Sequence, residues 1–358
     1  MKIAVGMSGG VDSSVAALLL KREGHEVTGI TMKIWRGNAI PSGAKGNACY
    51  GPEESEDIEA AKTMCAFLEI PHFVIDCTDS YETIVLDYFR NEYRSGRTPN
   101  PCVRCNHEVK FGVLPEKARE MGIEFEKFAT GHYARLQRNS QNNAIFLQKG
   151  VEERKDQSYF LYRLTQEQLA MTLFPLGCYC KDKVRGIARE AGLAVHDKEE
   201  SQDFCSGSYG DIVGHDAAGG EIADTAGKVL GRHTGIWQYT VGQRKGLGIA
   251  FREPLYVIRI DAANNRVIVG TGQETLKSTF MVRDGVGPGF EAAEKEFSSD
   301  IKIRSAAPAV ACRVTLLDTT SARITCNEPQ ASITPGQSAV FYRGDLVLGG
   351  GIIDRVEE

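Results

Sequence analysis

The sequence predicts an α/β protein in three parts: a parallel-sheet domain, a small mixed domain and a β-rich C-terminal domain. Up to about residue 200, short apolar runs alternate with amphipathic segments, the βαβα signature of a parallel sheet. From about residue 255 onward, β-rich pieces are separated by Gly, Asn, Asp and Pro, as in a small β-barrel or sandwich. Between them, residues 205–275 are Gly-rich and mixed, with GQRKGLG at 242–248 near the centre.

In order, KIAVG (2–6), EVTGITM (26–32), HFVID (72–76) and KFATG (127–131) read as buried strands. Segments at roughly 11–23, 53–68, 79–93 and 107–121 read as the helices between and around them. LYVIRI (255–260), RVIVG (266–270), AVACRVTLL (309–317), ARITC (322–326) and SAVFYRGDLVLGGGII (338–353) read as strands. No internal repeat or low-complexity tract is visible. At 358 residues, 42% hydrophobic and 25% charged, the chain can bury a sizeable core.

MKIAVGMSGG shows no basic n-region, apolar core or small-residue cleavage site, and no run approaches the roughly 18 apolar residues of a membrane helix. The expectation is a cytoplasmic protein without a membrane partner. Ten cysteines over this length are not the framework of a small secreted domain, so free thiols are expected. Cys49, Cys65, Cys77, Cys178, Cys180, Cys312 and Cys326 read as packing residues. A net charge of −5 argues against a general nucleic-acid binder. The charge is uneven, however: EESEDIE at 53–59 is acidic, whereas 94–110 carries Arg94, Arg97, Arg104 and Lys110 against Glu108. A local basic surface can steer an anionic partner.

GMSGGVDSS at 6–14 is the strongest chemical signal. It follows a strand and opens a helix, so the backbone N–H groups of Ser8, Gly9 and Gly10 can form a nest at a helix N-terminus. Ser8, Ser13 and Ser14 add hydroxyls. The loop lacks the Gly-Lys-Ser/Thr ending of a Walker A motif. It resembles the PP-loop, and that resemblance implies ATP cleavage between the α- and β-phosphates, with Mg²⁺ help and adenylation of a substrate. Gly6, Met7, Ser8, Gly9, Gly10, Val11, Asp12 and Ser13 are then nucleotide-binding candidates, with Asp12 suited to Mg²⁺ or pyrophosphate. Met32 and Gly131 fall where the two sides of an adenosine pocket would lie at the sheet's switch point.

GRTPNPCVRCN, ATGHYAR, KDQSYFLY (155–162), SQDFC (201–205), YTVGQRKGLG (239–248) and TPGQSAVFYRGDLVLGGGII (334–353) follow in order. Together with the first loop they resemble the bacterial tRNA-specific 2-thiouridylases. The resemblance spans the first strand to the last. It implies a PP-loop domain at 1–204, a central domain at 205–275 and a C-terminal β-barrel domain at 276–358. The implied reaction replaces the C2 oxygen of the wobble uridine of glutamate, glutamine and lysine tRNAs by sulfur.

By the same resemblance Cys205 carries a persulfide and Cys105 is its partner, the two ending as a transient disulfide. The sulfur comes from a persulfide donor, a cysteine desulfurase or sulfur-relay protein. Arg104 and Lys110 are expected to lower the thiol pKa values. Asn100, Pro101 and Cys102 would line the pocket of the flipped target base, and His132, Lys155, Asp156 and Gln157 would touch the anticodon arm. Gln337 is the β-domain candidate. Arg304 and Ser305 stand where the family usually has Arg-Tyr-Arg, and the aromatic and second arginine are missing here.

Cys102 stands where many family members have Asp. Cys102, Cys105 and Cys205 then offer an alternative, three corners of a [4Fe–4S] cluster. Zinc held by Cys102, Cys105, Cys178 and Cys180 is another, against the poor C-x-C spacing. Two further alternatives are a PP-loop amide ligase for a small metabolite, which needs neither Cys105 nor Cys205, and a non-enzymatic RNA-binding protein with a structural metal, which does not need Asp12.

Overall fold

The structure, a computed structural model, describes residues 1–37, 48–140, 143–196, 203–214, 218–291 and 294–357. Ser201 and Gln202 of SQDFC lie outside the described residues. The chain forms two compact units, one of residues 1–85, 102–208 and 345–347, the other of 86–101, 209–344 and 348–358.

In the first unit the runs read as buried strands pair in parallel. The strands are β1 (Lys2–Gly6), β2 (Glu26–Lys33), β3 (Ala48–Tyr50), β4 (His72–Asp76), β5 (Lys127–Ala129), β6 (Ala134–Arg138), β7 (Ile145–Lys149), β8 (Thr172–Leu173) and β9 (Asp203–Cys205). The main sheet has the order β4-β2-β1-β5-β8 and is parallel throughout. Its centre is β1, whose Ala4 and Val5 are fully buried because helices cover both faces of such a sheet. The helix Val11–Arg22 buries Val15, Ala16 and Ala17, and the helix Lys181–Glu190 adds Val184, Ile187 and Ala188 to the same core. β6 and β7 form an antiparallel hairpin, and β3 pairs in parallel with β9.

The second unit has a four-stranded sheet of β10 (Gly220–Asp224), β11 (Val229–His233), β12 (Tyr256–Asp261) and β13 (Arg266–Gly270), in the order β11-β10-β13-β12. Ile222, Val257, Val267 and Val269 fill its core with Tyr239 and Leu247. The remaining strands are β14 (Leu276–Val286), β15 (Glu296–Lys302), β16 (Val310–Leu316), β17 (Ala322–Ala331), β18 (Ser338–Arg343) and β19 (Leu346–Val356). Their order β14-β17-β16-β15-β18-β19 closes through β14–β19, which gives a six-stranded barrel without open edges. Of barrel and sandwich, the barrel is what forms.

One helix in the sequence range of the parallel-sheet domain clusters with the second unit. Asp87–Arg94 belongs to the second unit, where Phe89 and Tyr93 meet Tyr209 at 5.4 and 5.9 Å between ring centroids. Just beyond it, Arg97 pairs with Glu92 at 2.9 Å and donates to the Asp354 and Ile353 carbonyls at 3.0 and 2.9 Å.

Cys65, Cys77, Cys312 and Cys326 are buried, as packing residues should be. Cys49, Cys178 and Cys180 are exposed and do not pack a core, which corrects the reading of all seven as packing residues. Among the described residues no helix is long and apolar enough to cross a membrane.

Candidate active site

GMSGGVDSS forms the turn between β1 and the helix Val11–Arg22, with Gly10 as the extended N-cap. Gly9 has φ of 70°, the left-handed region, and a Cβ there would run into the Asp57 carbonyl. Only glycine suits that combination. The Gly10 carbonyl accepts from Ser13 Oγ at 3.2 Å and Ser14 Oγ at 2.9 Å, while the Ser8 N–H donates to Ser13 Oγ at 3.2 Å. The Ser8 N–H, expected in the anion nest, is thus turned onto a hydroxyl that must rotate to release it. Met7 and Val11 are buried, which leaves their backbone atoms to meet a nucleotide. Met32 lies half-buried on β2 opposite Ile75.

Gly131 follows β5 and lies against the same helix start. A Cβ there would stand 2.8 Å from both the carbonyl carbon of Asp12 and the nitrogen of Ser13. Backbone is thus packed on backbone, and the two sides of the candidate nucleotide site close on each other only through a glycine.

Asp12 is tightly held. Lys181 Nζ lies 2.8 Å from each of its carboxylate oxygens, and the Tyr133 hydroxyl donates to Oδ1 at 2.8 Å. The Lys181 side chain is 7% exposed, with its ammonium 5.8 Å from the Tyr133 ring centroid. Tyr133 is braced by Gln157, whose Oε1 accepts the Tyr133 N–H at 2.9 Å and whose N–H donates to the Tyr133 carbonyl at 3.0 Å. Asp156 accepts from the Gly150 and Ser158 N–H groups and from Ser158 Oγ. Two side chains of the Lys155-Asp156-Gln157 run therefore support the segment that presents Tyr133 to Asp12. Lys155 ends the short helical turn Glu153–Lys155 and is half-buried.

His132 packs between Phe111 and Phe174, at 5.8 and 6.1 Å between centroids, with Nδ1 2.7 Å from Thr130 Oγ1. Burial, aided by the Lys110 charge, pulls its pKa well below the usual range, so the imidazole is neutral at pH 7.

The candidate thiols lie near two stacked tyrosines, Tyr50 and Tyr81. Cys102 lies in the one-turn helix Pro101–Arg104, and Cys105 opens a wider helical stretch, Cys105–Val113, with i→i+5 turns of the kind that recur at functional sites. Cys205 is buried at the end of β9, and its register partner on β3 is Tyr50. Tyr50 stacks on Tyr81 at 5.5 Å with the planes 13° apart. Tyr81 is buried; burial raises its pKa, and the charges of Cys105, Cys49 and Cys102 add to the effect.

The thiols are not activated as expected. Burial pushes Cys102 up to about 12, with Cys49, Cys105 and Asp203 adding to it. Cys105 rises to about 11, again through burial. Lys110 acts in the expected direction at both sulfurs but does not offset burial. Arg104 is paired with Glu108 at 2.8 Å.

In the second unit Gln337 Nε2 donates to the Thr98 and Pro99 carbonyls at 3.1 and 3.0 Å, and the Asn100 N–H donates to the Tyr88 hydroxyl at 3.4 Å. Gln337 thereby fixes the loop that carries Asn100 and Pro101. Arg304 Nη2 donates to the Val241 and Ser332 carbonyls and to Thr334 Oγ1, and Ser305 is exposed.

The chain is 47% identical over 357 residues to a tRNA-specific 2-thiouridylase MnmA of Endomicrobium trichonymphae, covering 99% of each chain. It belongs to the MnmA family. Relatives of the same name from Geotalea uraniireducens and Clostridioides difficile are 46% and 40% identical, over 99% of this chain and 95% and 98% of theirs. Family models match as a tRNA methyl transferase HUP domain at 1–206, a tRNA methyl transferase PRC-barrel domain at 212–271 and an aminomethyltransferase β-barrel domain at 287–353.

For an MnmA-family chain, the donor sets decide which metals these residues suit. Mg²⁺ is held by one or two carboxylates plus substrate phosphates; Asp12 Oδ1 is taken by Lys181 and Tyr133, and Oδ2, which meets Lys181 alone, keeps a lone pair that fits that need. Among the described residues no three His, Cys, Asp or Glu groups converge as a ligand set. The described arrangement therefore fits neither a [4Fe–4S] cluster nor the zinc alternative. Lys181, Tyr133, Tyr81 and Tyr50 are the residues of this candidate site that sequence reasoning missed. Tyr133 alone had a visible signal, its place inside ATGHYAR.

Proposed function

We propose that the protein is a tRNA-uridine 2-sulfurtransferase that activates the wobble uridine with ATP and replaces its C2 oxygen by sulfur. The observation that carries this reading is the joining, in one unit, of the Asp12 loop with Cys102 and Cys105 beside Tyr81 and with Cys205 beside Tyr50. A small-molecule ligase has no use for the thiols. A structural RNA-binding protein has no use for an acid loop built at a helix N-terminus.

The uridine C2 oxygen attacks the α-phosphorus of ATP and expels pyrophosphate, with the nest and Ser13 receiving the phosphates. Asp12 would hold Mg²⁺, which when bound neutralises phosphate charge. Adenylation makes a poor leaving oxygen into part of AMP. The terminal sulfur of a Cys205 persulfide adds to C2, and AMP departs with the oxygen. The Cys105 thiolate then attacks the Cys205 sulfur; a Cys105–Cys205 disulfide forms and 2-thiouridine is released. The two electrons that reduce the transferred sulfur come from the protein thiols, and an external thiol resets the disulfide. Asn100, Pro101, Cys102, His132, Lys155, Asp156, Gln157, Arg304, Ser305 and Gln337 are the candidates for tRNA contact, and a persulfide-carrying protein is the implied donor.

The test incubates the protein with a glutamate, glutamine or lysine tRNA, ATP, Mg²⁺ and a persulfide donor. AMP, pyrophosphate and 2-thiouridine should form together. ADP as the main product, or sulfur elsewhere in the tRNA, would sink the proposal.

A further inference from the structure

Cys312 and Cys326 face each other in the C-terminal barrel. They are register partners across the antiparallel pair β16–β17, 2% and 4% exposed, and their sulfurs stand 3.2 Å apart. Directly opposed Cα atoms in such a pair are roughly 4.5 or 5.5 Å apart, and disulfides span Cα separations of about 4.4–6.8 Å. The backbone is therefore already at bonding distance, and the sulfurs need to approach by roughly 1 Å to reach a disulfide length of about 2.05 Å. The next inward pair along the same ladder, Val314 opposite Ile324, is aliphatic and fully buried.

The two thiols also mark the end of their ladder. The β16–β17 register runs from Leu316 opposite Ala322 to Cys312 opposite Cys326 and stops there. On its other side β17 pairs with β14 as far as Thr325, slips, and resumes at Gln330. Among the described residues, 327–329 have a register partner on neither neighbouring strand, and Pro329 has no N–H to offer one. Ladder ends and bulges open more readily than strand centres, which gives a small oxidant a path to two otherwise buried sulfurs. The Cys312 thiol has two acceptors, the Val310 carbonyl at 3.4 Å and the Cys326 sulfur. Its hydrogen bond to Cys326 raises the pKa of Cys312 and lowers that of Cys326, so Cys326 is the sulfur that ionises first.

We propose that Cys312 and Cys326 are a reversible redox site in the barrel wall, which hydrogen peroxide closes to a cross-strand disulfide that clamps β16 to β17 and which a small thiol reopens. The Cys326 thiolate attacks one peroxide oxygen, the O–O bond breaks, and a Cys326 sulfenic acid and hydroxide form. The Cys312 thiol then attacks the Cys326 sulfur; its proton and the sulfenic hydroxyl leave together as water. Two electrons pass from the pair of sulfurs to the peroxide, and two equivalents of an external thiol return them by exchange. Neither sulfur has a part in the proposed thiolation, so this site stands whether or not that reading holds.

The experiment treats the folded full-length protein with graded hydrogen peroxide, blocks remaining thiols with N-ethylmaleimide and digests it with trypsin without reductant. Cleavage after Arg304, Arg313, Arg323 and Arg343 puts Cys312 on the peptide 305–313 and Cys326 on 324–343, so their disulfide appears in the mass spectrum as one linked species lighter by two hydrogens. That species should form in the peroxide-treated protein and vanish with dithiothreitol. Peroxide should also raise the melting temperature by about 5 °C, as expected of a disulfide closing a loop of about 15 residues, and should not do so in Cys312→Ala or Cys326→Ala. Peptides that stay unlinked while the exposed Cys178 is oxidised, a sulfinic or sulfonic acid on Cys326 without a link, or a link that forms only in guanidinium-unfolded protein would each overturn the proposal. A temperature rise that persists in both alanine variants would overturn the clamp. The linked-peptide measurement needs wild type alone, and it decides the matter if an alanine variant fails to fold.

Discussion

Tyr50 and Cys205 are register partners across the parallel pair β3–β9, so the sulfur proposed to carry the persulfide is set by a strand of three residues. Tyr50 is 1% exposed and stacks on Tyr81. Tyr50→Ala should cost about 3–5 kcal/mol, in line with removal of a large buried ring, and lower persulfide loading of Cys205 as read by mass spectrometry. Tyr50→Phe should load normally. Full loading of the alanine variant would show that the strand pair does not position the sulfur.

Cys205→Ser and Cys105→Ser should each abolish 2-thiouridine formation and leave ATP binding unchanged. Cys65→Ser, Cys77→Ser and Cys312→Ser should shift the melting temperature and spare the chemistry, because these thiols are buried in packing positions. Thiolation at the wild-type rate in either of the first two variants rules out the two-thiol scheme.

Cys102→Asp restores the residue usual in the resembling family. It should keep much of the activity with a persulfide donor in air, since the proposed exchange uses only Cys105 and Cys205. Strict dependence of wild-type turnover on reconstituted iron and sulfide, followed by iron content and visible absorbance, would be the contrary outcome.

The raised thiol pKa values give a sign to the pH dependence. Cys102 and Cys105 ionise at about 12 and about 11 in the folded chain, against 9.0 for an ordinary thiol. Their iodoacetamide labelling should therefore keep rising above pH 9, where a free thiol levels off. A neutral thiol favoured by the fold stabilises it fully below pH 9, and that contribution is lost as pH rises towards 11 and 12. Stability should fall over that window, and less so in a Cys102→Ser, Cys105→Ser double variant. A labelling plateau near pH 8 would contradict the burial argument.

Gly131→Ala places a Cβ against backbone that cannot swing aside. The expected cost is about 1–3 kcal/mol, with weaker ATP binding by calorimetry. Unchanged melting and ATP affinity would show that the loop and the helix start are not in firm contact.

Much of the first unit's sheet was legible because β1, β2, β4 and β5 are apolar runs joined by helix-period segments. β3 and β9 were not, since each has three residues and their pairing joins Ala48 to Asp203. β14, LKSTFMVRDGV, mixes charge with apolar residues on a barrel wall and offers no clean alternation. At the site, the loop from Gly6 to Ser14 could be read from the string alone because its chemistry is local. Lys181 could not: in KDKVRGIARE it resembles any solvated lysine, and only the fold brings it to Asp12 across 169 positions.

Arg97 reaches the Asp354 carbonyl over a separation of 257 residues. A ribosome adds about 5–20 residues per second, so the arginine is synthesised roughly 13–50 s before its partner. The segment before the paired cysteines thus waits, without its final anchor, for most of translation. A stalled or truncated product would hold the Gly6–Ser14 loop already made and the 95–101 segment still without its anchor. Nascent chains released before about residue 350 should therefore be open to proteolysis between Arg94 and Pro101 even where the first helices resist it.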